Sequence, residues 1–267
     1  MLPYRLTAIN IYPLKSAKAI ALNHSQVETK GLQYDRRWML VDTHGQFISA
    51  RKQPQLLNIY AKASKAGLQV RFPDQSVIHI PSPIHTHTET VTLWNQQCQV
   101  LSAGRHYDDI FSDYLQHPCR LVTESSLHPR HVDPTYAQPT DQVSFADGFP
   151  LLLISENSLT DLNQRLDTPV SMSQFRPNLV VTANQPFEED QWRTIRINTI
   201  LFSLVKPCSR CIITTLDPNT GKSHQRGEPL RTLKQYRQKD NQIFFGQNVI
   251  AQNQGKICLN DPIEILE

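Results

Sequence analysis

The 267-residue chain is poor in glycine and has no long apolar run. It holds only 9 glycines against 18 prolines, which disfavours nucleotide-binding folds built on glycine-rich loops. No segment approaches the ~18 consecutive apolar residues of a membrane-spanning helix. The start of the chain also has no apolar core of the length that a signal peptide requires. The sequence therefore predicts no membrane partner and no secretion.

Cysteine is scarce too, with 5 residues in the chain. The number is odd, and Cys98, Cys119 and Cys258 are isolated from other cysteines in the sequence. A disulfide framework needs paired cysteines and an oxidising compartment. These observations predict a cytoplasmic protein with reduced thiols.

Basic residues only slightly outnumber acidic residues in the sequence. The formal net charge is +3, and lysines and arginines are scattered along the chain. Nucleic-acid-binding proteins carry their basic residues clustered on one face or helix, so we expect no nucleic-acid partner. Short basic clusters remain available for a small anionic ligand.

The pattern of apolar residues predicts a mostly β protein with a few helices, of the α+β class. Short strand-like segments separated by turn residues fill the first hundred residues, which is typical of a barrel or sandwich. Residues 105–117 carry apolar side chains at helical spacing. We predict a β-rich domain over residues 1–120 and a second domain over 121–267. The junction is followed by a Pro- and His-rich loop over 125–142.

The remainder of the chain alternates strands and helices. Residues 149–154 read as a buried strand, and residues 155–166 as a helix with Ser155 at its N-cap. Residues 194–205 are predicted to form a hairpin that turns at Asn198-Thr199, and Pro229 to open a short helix.

Cys208 and Cys211 form a Cys-x-x-Cys motif that allows several kinds of site. A structural zinc needs four ligands. The chain has no second cysteine pair, and His224 has no histidine partner at the spacing of a zinc finger. A dithiol redox pair usually precedes a helix N-terminus, whereas residues 212–216 are mostly β-branched and favour a strand. Simple burial is disfavoured by the intervening Arg210. A cation beside a thiol favours the thiolate, which is a good ligand for a soft metal centre.

The segment Asp217–Ser223 ends in Gly-Lys-Ser, as a phosphate-binding loop does. That loop requires another glycine five residues before Gly221, where this chain has Leu216. Asp-Pro and Asn-x-Gly are turn signals, so the segment is predicted to be a hairpin turn.

Cationic and hydrogen-bonding residues occur in separate clusters at predicted strand ends. Ligand contacts gather at such ends in barrels, and arginine offers bidentate contacts to phosphate. Together the clusters predict a pocket for a phosphate-bearing ligand. They are Lys15-Ser16, Asp35-Arg36-Arg37, Phe175-Arg176-Pro177-Asn178 and Ser209-Arg210.

These clusters belong to a longer series of motifs that resembles the MOSC-domain molybdenum enzymes, in particular the YcbX group and the mitochondrial amidoxime reducing component. Seven pieces occur in the family's order and cover nearly the whole chain. They are Tyr12–Ser16, Asp35-Arg36, Ser144–Asp147, Ser155–Leu159, Phe175–Asn178, Cys208–Cys211 with Thr214-Thr215, and Glu228–Leu230 with Phe245–Asn248.

The resemblance implies a β-barrel MOSC domain behind a β-rich MOSC N-terminal domain, together with a molybdenum cofactor of the molybdopterin type. Cys211 matches the family's molybdenum ligand, while the role of Cys208 is left open. Asp147 is expected to line the same pocket. The residues that match the family's pterin and phosphate contacts are Lys15, Ser16, Arg36, Arg176, Asn178, Ser209 and Arg210.

By the same resemblance, the expected function is molybdenum-dependent reduction of N-hydroxylated compounds such as amidoximes, hydroxylamines and N-hydroxylated bases. Asp217, six residues after the ligand, is a candidate proton donor. No cysteine group for an iron–sulfur cluster follows the MOSC region, so electrons are expected from a separate flavin or iron–sulfur protein. The alternative function is a carrier that delivers the molybdenum cofactor or sulfur without turnover.

Overall fold

A computed structural model of the protein describes residues 4–84 and 87–267. The chain is mostly strand, as predicted. Strands β1 to β11 make up most of the N-terminal half, and a 3₁₀ turn, Pro54–Asn58, lies between β5 and β6. The eleven strands are Leu6–Ile11, Ile20–Leu22, His24–Glu28, Gly31–Leu32, Trp38–Asp42, Tyr60–Ser64, Gly67–Arg71, Val77–Pro81, Glu89–Leu93, Gln96–Ser102 and Cys119–Glu124.

Strands β12 to β21 belong to the C-terminal half. They are Arg130–His131, Gln142–Val143, Leu151–Ser155, Leu179–Val181, Thr194–Ile197, Ile200–Ser209, Gln238–Lys239, Gln242–Ala251, Gly255–Cys258 and Ile263–Ile265. The α-helices in the described parts of the chain are α1 Arg105–Leu115, α2 Glu156–Gln164 and α3 Leu230–Arg237, and the later 3₁₀ turns are Met172–Phe175, Glu188–Asp190, Ile212–Thr215 and Gln225–Gly227.

The largest sheet curls into a barrel. Its strands follow the order β2-β1-β15-β14-β19-β17-β16-β21. Backbone hydrogen bonds then join the start of β1 to the start of β21, from Leu6 N to Asp261 O at 3.1 Å and from Ile263 N to Tyr4 O at 3.0 Å. The last strand β21 therefore meets β1, the strand next to the edge strand β2, which closes most of the sheet. The predicted β-barrel of the C-terminal half is confirmed.

The N-terminal half is built from smaller antiparallel sheets, β5-β11-β10-β9 and β6-β7-β8. Its apolar core includes Leu40, Leu56, Leu68 and Leu121, and the helix α1 packs Phe111 and Leu115 into the same cluster. The helical spacing read from residues 105–117 is therefore confirmed, with the helix ending at Leu115. Phe111 and Leu115 are buried because they lie on the face that the spacing selects.

Strands of one half pair with strands of the other across residue 120, where the sequence predicts a domain boundary. The boundary itself stays a prediction. Strand β1 pairs with β15, and β3 pairs with β20, so residues near the start of the chain complete sheets of the C-terminal half. Conversely, β11 pairs with β5 in the N-terminal half. This sharing places the end of β1 against both halves, and the first cationic cluster follows it.

The N-cap of α2 and the hairpin of residues 194–205 are confirmed. Ser155 caps α2 by accepting a hydrogen bond from Ser158 N at 3.1 Å, and β16 and β17 form the predicted hairpin around Asn198-Thr199. The loop predicted over 125–142 contains the short pair β12 and β13. No helix among the described residues is long and apolar enough to cross a membrane.

One local prediction is wrong. The β-branched residues after Cys211 form the 3₁₀ turn Ile212–Thr215 rather than a strand. The hydroxyl groups of Thr214 and Thr215 donate to the carbonyls of Cys211 and Ile212 at 3.0 and 2.7 Å, which satisfies the turn locally. Such side-chain bonds to nearby backbone compete with sheet formation.

A buried carboxyl group in the barrel half provides a test of this packing. Burial raises the pKa of Glu189, whose Oε1 accepts hydrogen bonds from Ser155 N and Ser158 Oγ, while no donor among the described residues reaches its buried Oε2. A raised folded-state pKa means that its contribution to stability is complete below the unfolded value of about 4.3 and is lost as pH rises through the folded value. We expect the free energy of unfolding to fall by up to about 1.4 kcal/mol per pH unit in that window.

The measurement is urea unfolding of the protein and of Glu189→Gln from pH 4 to pH 8. The variant keeps a carbonyl acceptor and cannot ionise, so its stability should change less with pH across the window. Parallel pH dependences for the two proteins would show that Glu189 does not titrate as its burial requires.

Candidate functional site

Residues from both halves of the chain line one cavity of about 860 Å³, counting its open mouth. Of the ten candidate site residues, nine line this cavity and Asp217 does not. The lining side chains with the greatest exposure are Trp94, Asp147, Ser209 and Cys211, and we call these four the rim. The nine candidates are Lys15, Ser16, Arg36, Asp147, Arg176, Asn178, Ser209, Arg210 and Cys211.

Lys15 lies deep in the cavity because it follows the shared strand β1. The residue is only 7% exposed, and its Nζ donates to Asp147 Oδ1 at 2.6 Å and to Phe145 O at 2.7 Å. Burial lowers the pKa of Lys15, and the adjacent carboxylate of Asp147 opposes that shift. The ammonium group thereby ties the turn over 144–147 to the end of β1.

Arg36 and Arg176 lie on the ring of Tyr12. Their guanidinium carbons are 4.4 and 4.2 Å from its centroid, and the Tyr12 hydroxyl donates to Pro177 O at 3.1 Å. Cation–π contacts of this kind hold a guanidinium in place and leave its N–H groups available. Burial raises the pKa of Tyr12 to about 12, so the ring stays a neutral support.

The two arginines differ in their partners. Arg36 is paired with the fully buried Asp35, Nη1 to Oδ2 at 2.5 Å. Arg176 donates to Ala17 O at 2.8 Å, and no carboxylate among the described residues forms an ion pair with it. Burial lowers the pKa of Arg176 to about 10. An anion bound beside Arg176 would offset that cost of burying its charge.

Three residues that line the cavity have a left-handed backbone conformation. Ser16, Arg36 and Arg176 have φ of 72°, 51° and 58°, in the left-handed region that residues other than glycine rarely occupy. Strained residues of this kind persist where the surrounding structure holds them, and they cluster at ligand sites. All three line the cavity.

Asn178 has a structural role at the base of the cavity. Its Oδ1 accepts from Arg36 Nη1 and Leu152 N, each at 3.2 Å, and its Nδ2 donates to Asn10 O at 3.1 Å. The amide group is thus used in joining β1, β14 and Arg36. Asn178 orients the guanidinium of Arg36 toward the cavity.

Arg210 extends from the end of β17 across the cavity. Its Nη2 donates to Phe175 O at 2.6 Å and its Nη1 contacts Cys208 Sγ at 3.0 Å. Its buried Nε has no partner among the described residues. The cation that the sequence placed beside a thiol therefore lies beside Cys208, and a donor remains for a bound ligand.

Cys211 is placed on the rim by the turn that follows it. Ile213 and Leu216 pack against the core of the N-terminal half, and Gln174 Nε2 donates to Thr214 O at 3.0 Å. The two halves of the chain therefore both hold the segment that carries the thiol. The exposed Sγ of Cys211 is open to a ligand in the cavity.

Asp217 lies in the hairpin turn beyond this segment. Its Oδ1 accepts from Asn219 N at 2.7 Å and Thr220 N at 3.1 Å, and Gly221 N donates to its backbone carbonyl at 2.8 Å. The predicted turn over 217–223 is confirmed by these bonds and by the bridge between Leu216 and Ser223. The structure does not bring the Asp217 carboxylate into the cavity.

Four lining residues of the N-terminal half were not among the sequence candidates, namely Phe47, Ser49, Arg51 and Trp94. Arg51 lies over the ring of Trp94, with its guanidinium carbon 4.3 Å from the centroid, and Trp94 contacts Phe47 with centroids 4.7 Å apart. They belong to separate turns and strands with no shared motif. Only the tertiary structure brings them to the cavity.

Cys211 is the candidate metal ligand of the cavity. Among the described residues, no group of three or more His, Cys, Asp or Glu side chains could hold a metal ion. A structural zinc takes four such ligands. A metal held at Cys211 would need its other ligands from a cofactor or solvent.

Comparisons with known proteins agree with this architecture. Residues 4–118 match the MOSC N-terminal beta barrel domain, and residues 140–264 match the MOSC domain. The chain belongs to the MOSC family. Mitochondrial amidoxime-reducing component 1 of Homo sapiens is 31% identical over 274 residues, covering 96% of this chain and 81% of that protein.

Two further MOSC relatives show the range of named activities. Mitochondrial amidoxime reducing component 2 of Homo sapiens is 32% identical, covering 95% of this chain and 81% of that protein. Molybdenum cofactor sulfurase of Oryza sativa subsp. japonica is 32% identical, covering 90% of this chain but 32% of that protein. Two of these three names refer to amidoxime reduction, and the third refers to the molybdenum cofactor.

The cavity residues fit a molybdenum cofactor. Within the described part of the chain, Arg176 has no carboxylate partner and the Nε of Arg210 has no hydrogen-bond partner, so both are donors suited to phosphate or pterin oxygens. The exposed thiol of Cys211 is a soft ligand suited to a metal at the rim. The lining carries five cationic side chains and one carboxylate, namely Lys15, Arg36, Arg51, Arg176, Arg210 and Asp147.

Proposed function

We propose that this MOSC protein is a molybdenum-cofactor-dependent reductase of N-hydroxylated compounds. The observation that carries the proposal is an exposed cysteine, Cys211, on the rim of a cationic cavity built by both halves of the chain. The amidoxime-reducing relatives, at 31–32% identity over nearly the whole chain, support the substrate class.

Each group of cavity residues has a role in this proposal. Arg176 and Arg210 bind the cofactor's anionic end, with Arg36 oriented by Asn178 and Asp35. Cys211 supplies the protein's thiolate ligand. When bound, the cofactor supplies two electrons for cleavage of the N–O bond. The overall reaction is R₂N–OH + 2 e⁻ + 2 H⁺ → R₂N–H + H₂O.

Electrons come from a separate flavin or iron–sulfur protein in this proposal. The open rim leaves Cys211 accessible from solvent, so a partner can approach the metal position without a change of fold. We place the protein in the cytoplasm, with removal of N-hydroxylated compounds as its role.

The decisive experiment is purification from a host that makes the cofactor, followed by elemental analysis and assay. We expect about one molybdenum per chain and no stoichiometric zinc, because the cavity presents one exposed thiol, that of Cys211, rather than four zinc ligands. With a reduced dye as electron source, the protein should convert benzamidoxime to benzamidine. One zinc per chain without molybdenum would contradict the proposal.

The second candidate is a carrier that delivers the cofactor or sulfur. The relative named molybdenum cofactor sulfurase favours it, since about a third of that protein matches 90% of this chain. Loaded protein that is mixed with a cofactor-free acceptor enzyme separates the two functions. Transfer of molybdenum to the acceptor without reduction of benzamidoxime would favour the carrier, whereas retention with turnover favours the reductase.

A further inference from the structure

Asp147 differs from every other charged side chain that lines the cavity. It is the one carboxylate among the lining residues of the described chain, whereas the other charged groups there are cations. Its side chain is 70% exposed at the rim, which it shares with Cys211. An anionic group at this position faces whatever enters the cavity from solvent.

Two donors hold one of its oxygens. Lys15 Nζ donates to Oδ1 at 2.6 Å, and Trp94 Nε1 donates to the same oxygen at 3.2 Å. No donor among the described residues reaches Oδ2. The carboxylate is therefore fixed by the deep lysine and the rim indole, while its second oxygen keeps its lone pairs for a ligand.

The negative charge of Asp147 disfavours an anionic ligand and favours a cation or an N–H donor. Desolvation by the surrounding protein raises its pKa, but the Lys15 ammonium outweighs this and holds the pKa of Asp147 well below its usual range. The group is therefore an anion at neutral pH. A carboxylate disfavours direct contact with phosphate or another anionic part of a cofactor because like charges repel, and it favours a cation or an N–H donor.

We propose that Asp147 Oδ2 binds the substrate itself, by accepting a hydrogen bond from an N–H group next to the N–OH function and by stabilising a cationic product. This inference rests on the proposed function and narrows its substrate class to N-hydroxylated amidines and related compounds with N–H donors. In an amidoxime, an NH₂ group and the N–OH group are bonded to the same carbon. Its reduction yields an amidine, which is a cation at neutral pH.

Two substrates with different donors test the inference. Benzamidoxime has an NH₂ donor and gives a cation, whereas N-methylbenzohydroxamic acid has no N–H and gives a neutral amide. Asp147→Asn retains size and a carbonyl oxygen but removes the charge. We expect it to lower kcat/KM for benzamidoxime roughly tenfold to a hundredfold, the range for one charge-assisted hydrogen bond. For the hydroxamic acid we expect a change under about threefold.

Binding of benzamidinium to the molybdenum-loaded protein provides a readout independent of turnover. Calorimetry should show Kd at least about tenfold weaker for Asp147→Asn than for the unchanged protein. Molybdenum content is measured on the same samples, since Lys15 could shift in the variant. Asp133→Asn is the matched control, because Asp133 also has a lowered pKa but lies outside this cavity.

The outcomes separate this inference from the proposed function. Unchanged benzamidinium affinity, or an equal loss of kcat/KM for both substrates at normal molybdenum content, would overturn the role of Asp147. Absence of reduction of either substrate by the loaded, unchanged protein would overturn the reductase function, while the calorimetry would still decide whether Asp147 binds amidinium.

Discussion

We expect Cys211→Ser to abolish the proposed reductase activity and to remove the proposed bond between the protein and molybdenum. Serine supplies a hard hydroxyl oxygen in place of a soft thiolate. The hydroxyl oxygen is the poorer ligand for a soft metal centre. The position is exposed on the rim, so the substitution should leave the fold intact. X-ray absorption on the loaded variant should count about one sulfur ligand fewer than in the unchanged protein.

Cys208→Ser is the matched control three residues away. Cys208 Sγ contacts Arg210 Nη1 at 3.0 Å, a bond that a serine oxygen can also accept, so we expect a milder effect and unchanged metal content. If both substitutions abolish activity equally while molybdenum stays bound, a dithiol redox mechanism becomes the better account of the Cys-x-x-Cys motif.

Replacing Arg176 with alanine will weaken cofactor retention about tenfold to a hundredfold. One charge-assisted contact to an anion is worth roughly 1.5–3 kcal/mol, which corresponds to that range of affinity. Arg176 has no carboxylate partner among the described residues, so its removal leaves no buried charge behind. Cofactor content and thermal midpoint, measured on the same samples, separate loss of binding from loss of stability.

Arg36 will behave differently, although it faces the same cavity. Its partner Asp35 is 0% exposed, and removal of Arg36 leaves that carboxylate buried without its ion pair. Breaking a buried pair costs about 3–5 kcal/mol of stability, so Arg36→Ala should lower the thermal midpoint as well as cofactor content. Arg176 is therefore the cleaner test of binding.

The control for both arginines is Arg196→Ala, which removes an exposed arginine in a surface ion pair with Glu264. Such a change typically alters stability by less than about 0.5 kcal/mol. Normal cofactor content in Arg176→Ala would show that the cavity is not where the cofactor's anionic end binds.

Local sequence determined much of the secondary structure. Helix α1 follows from apolar residues at helical spacing, and the hairpin at Asn198-Thr199 follows from β-branched segments around a turn. These elements are predictable because the residues that decide them are neighbours in the chain. The motif order likewise identified nine side chains that line the cavity, although their grouping in space depends on β1 joining the barrel.

Only the tertiary structure decided the conformation of the segment that follows Cys211. Residues 212–215 have strand propensity, yet they form a 3₁₀ turn because Ile213 and Leu216 pack into the N-terminal core and Gln174 binds the carbonyl of Thr214. Strand propensity depends mainly on how side chains pack, and here the partly buried Ile213 and Leu216 pack against the N-terminal core in the turn conformation.

The same distinction applies to the acidic residues. In sequence, Asp217 is closer to Cys211 than Asp147 is, but the first closes a hairpin turn and the second reaches the rim with Lys15 and Trp94. Proximity along the chain carries little information here, because the cavity is assembled from strand ends that are more than a hundred residues apart. The motifs by themselves thus determined the family and the cationic site. Long-range packing decided which carboxylate lines the cavity, since that depends on contacts between the two halves.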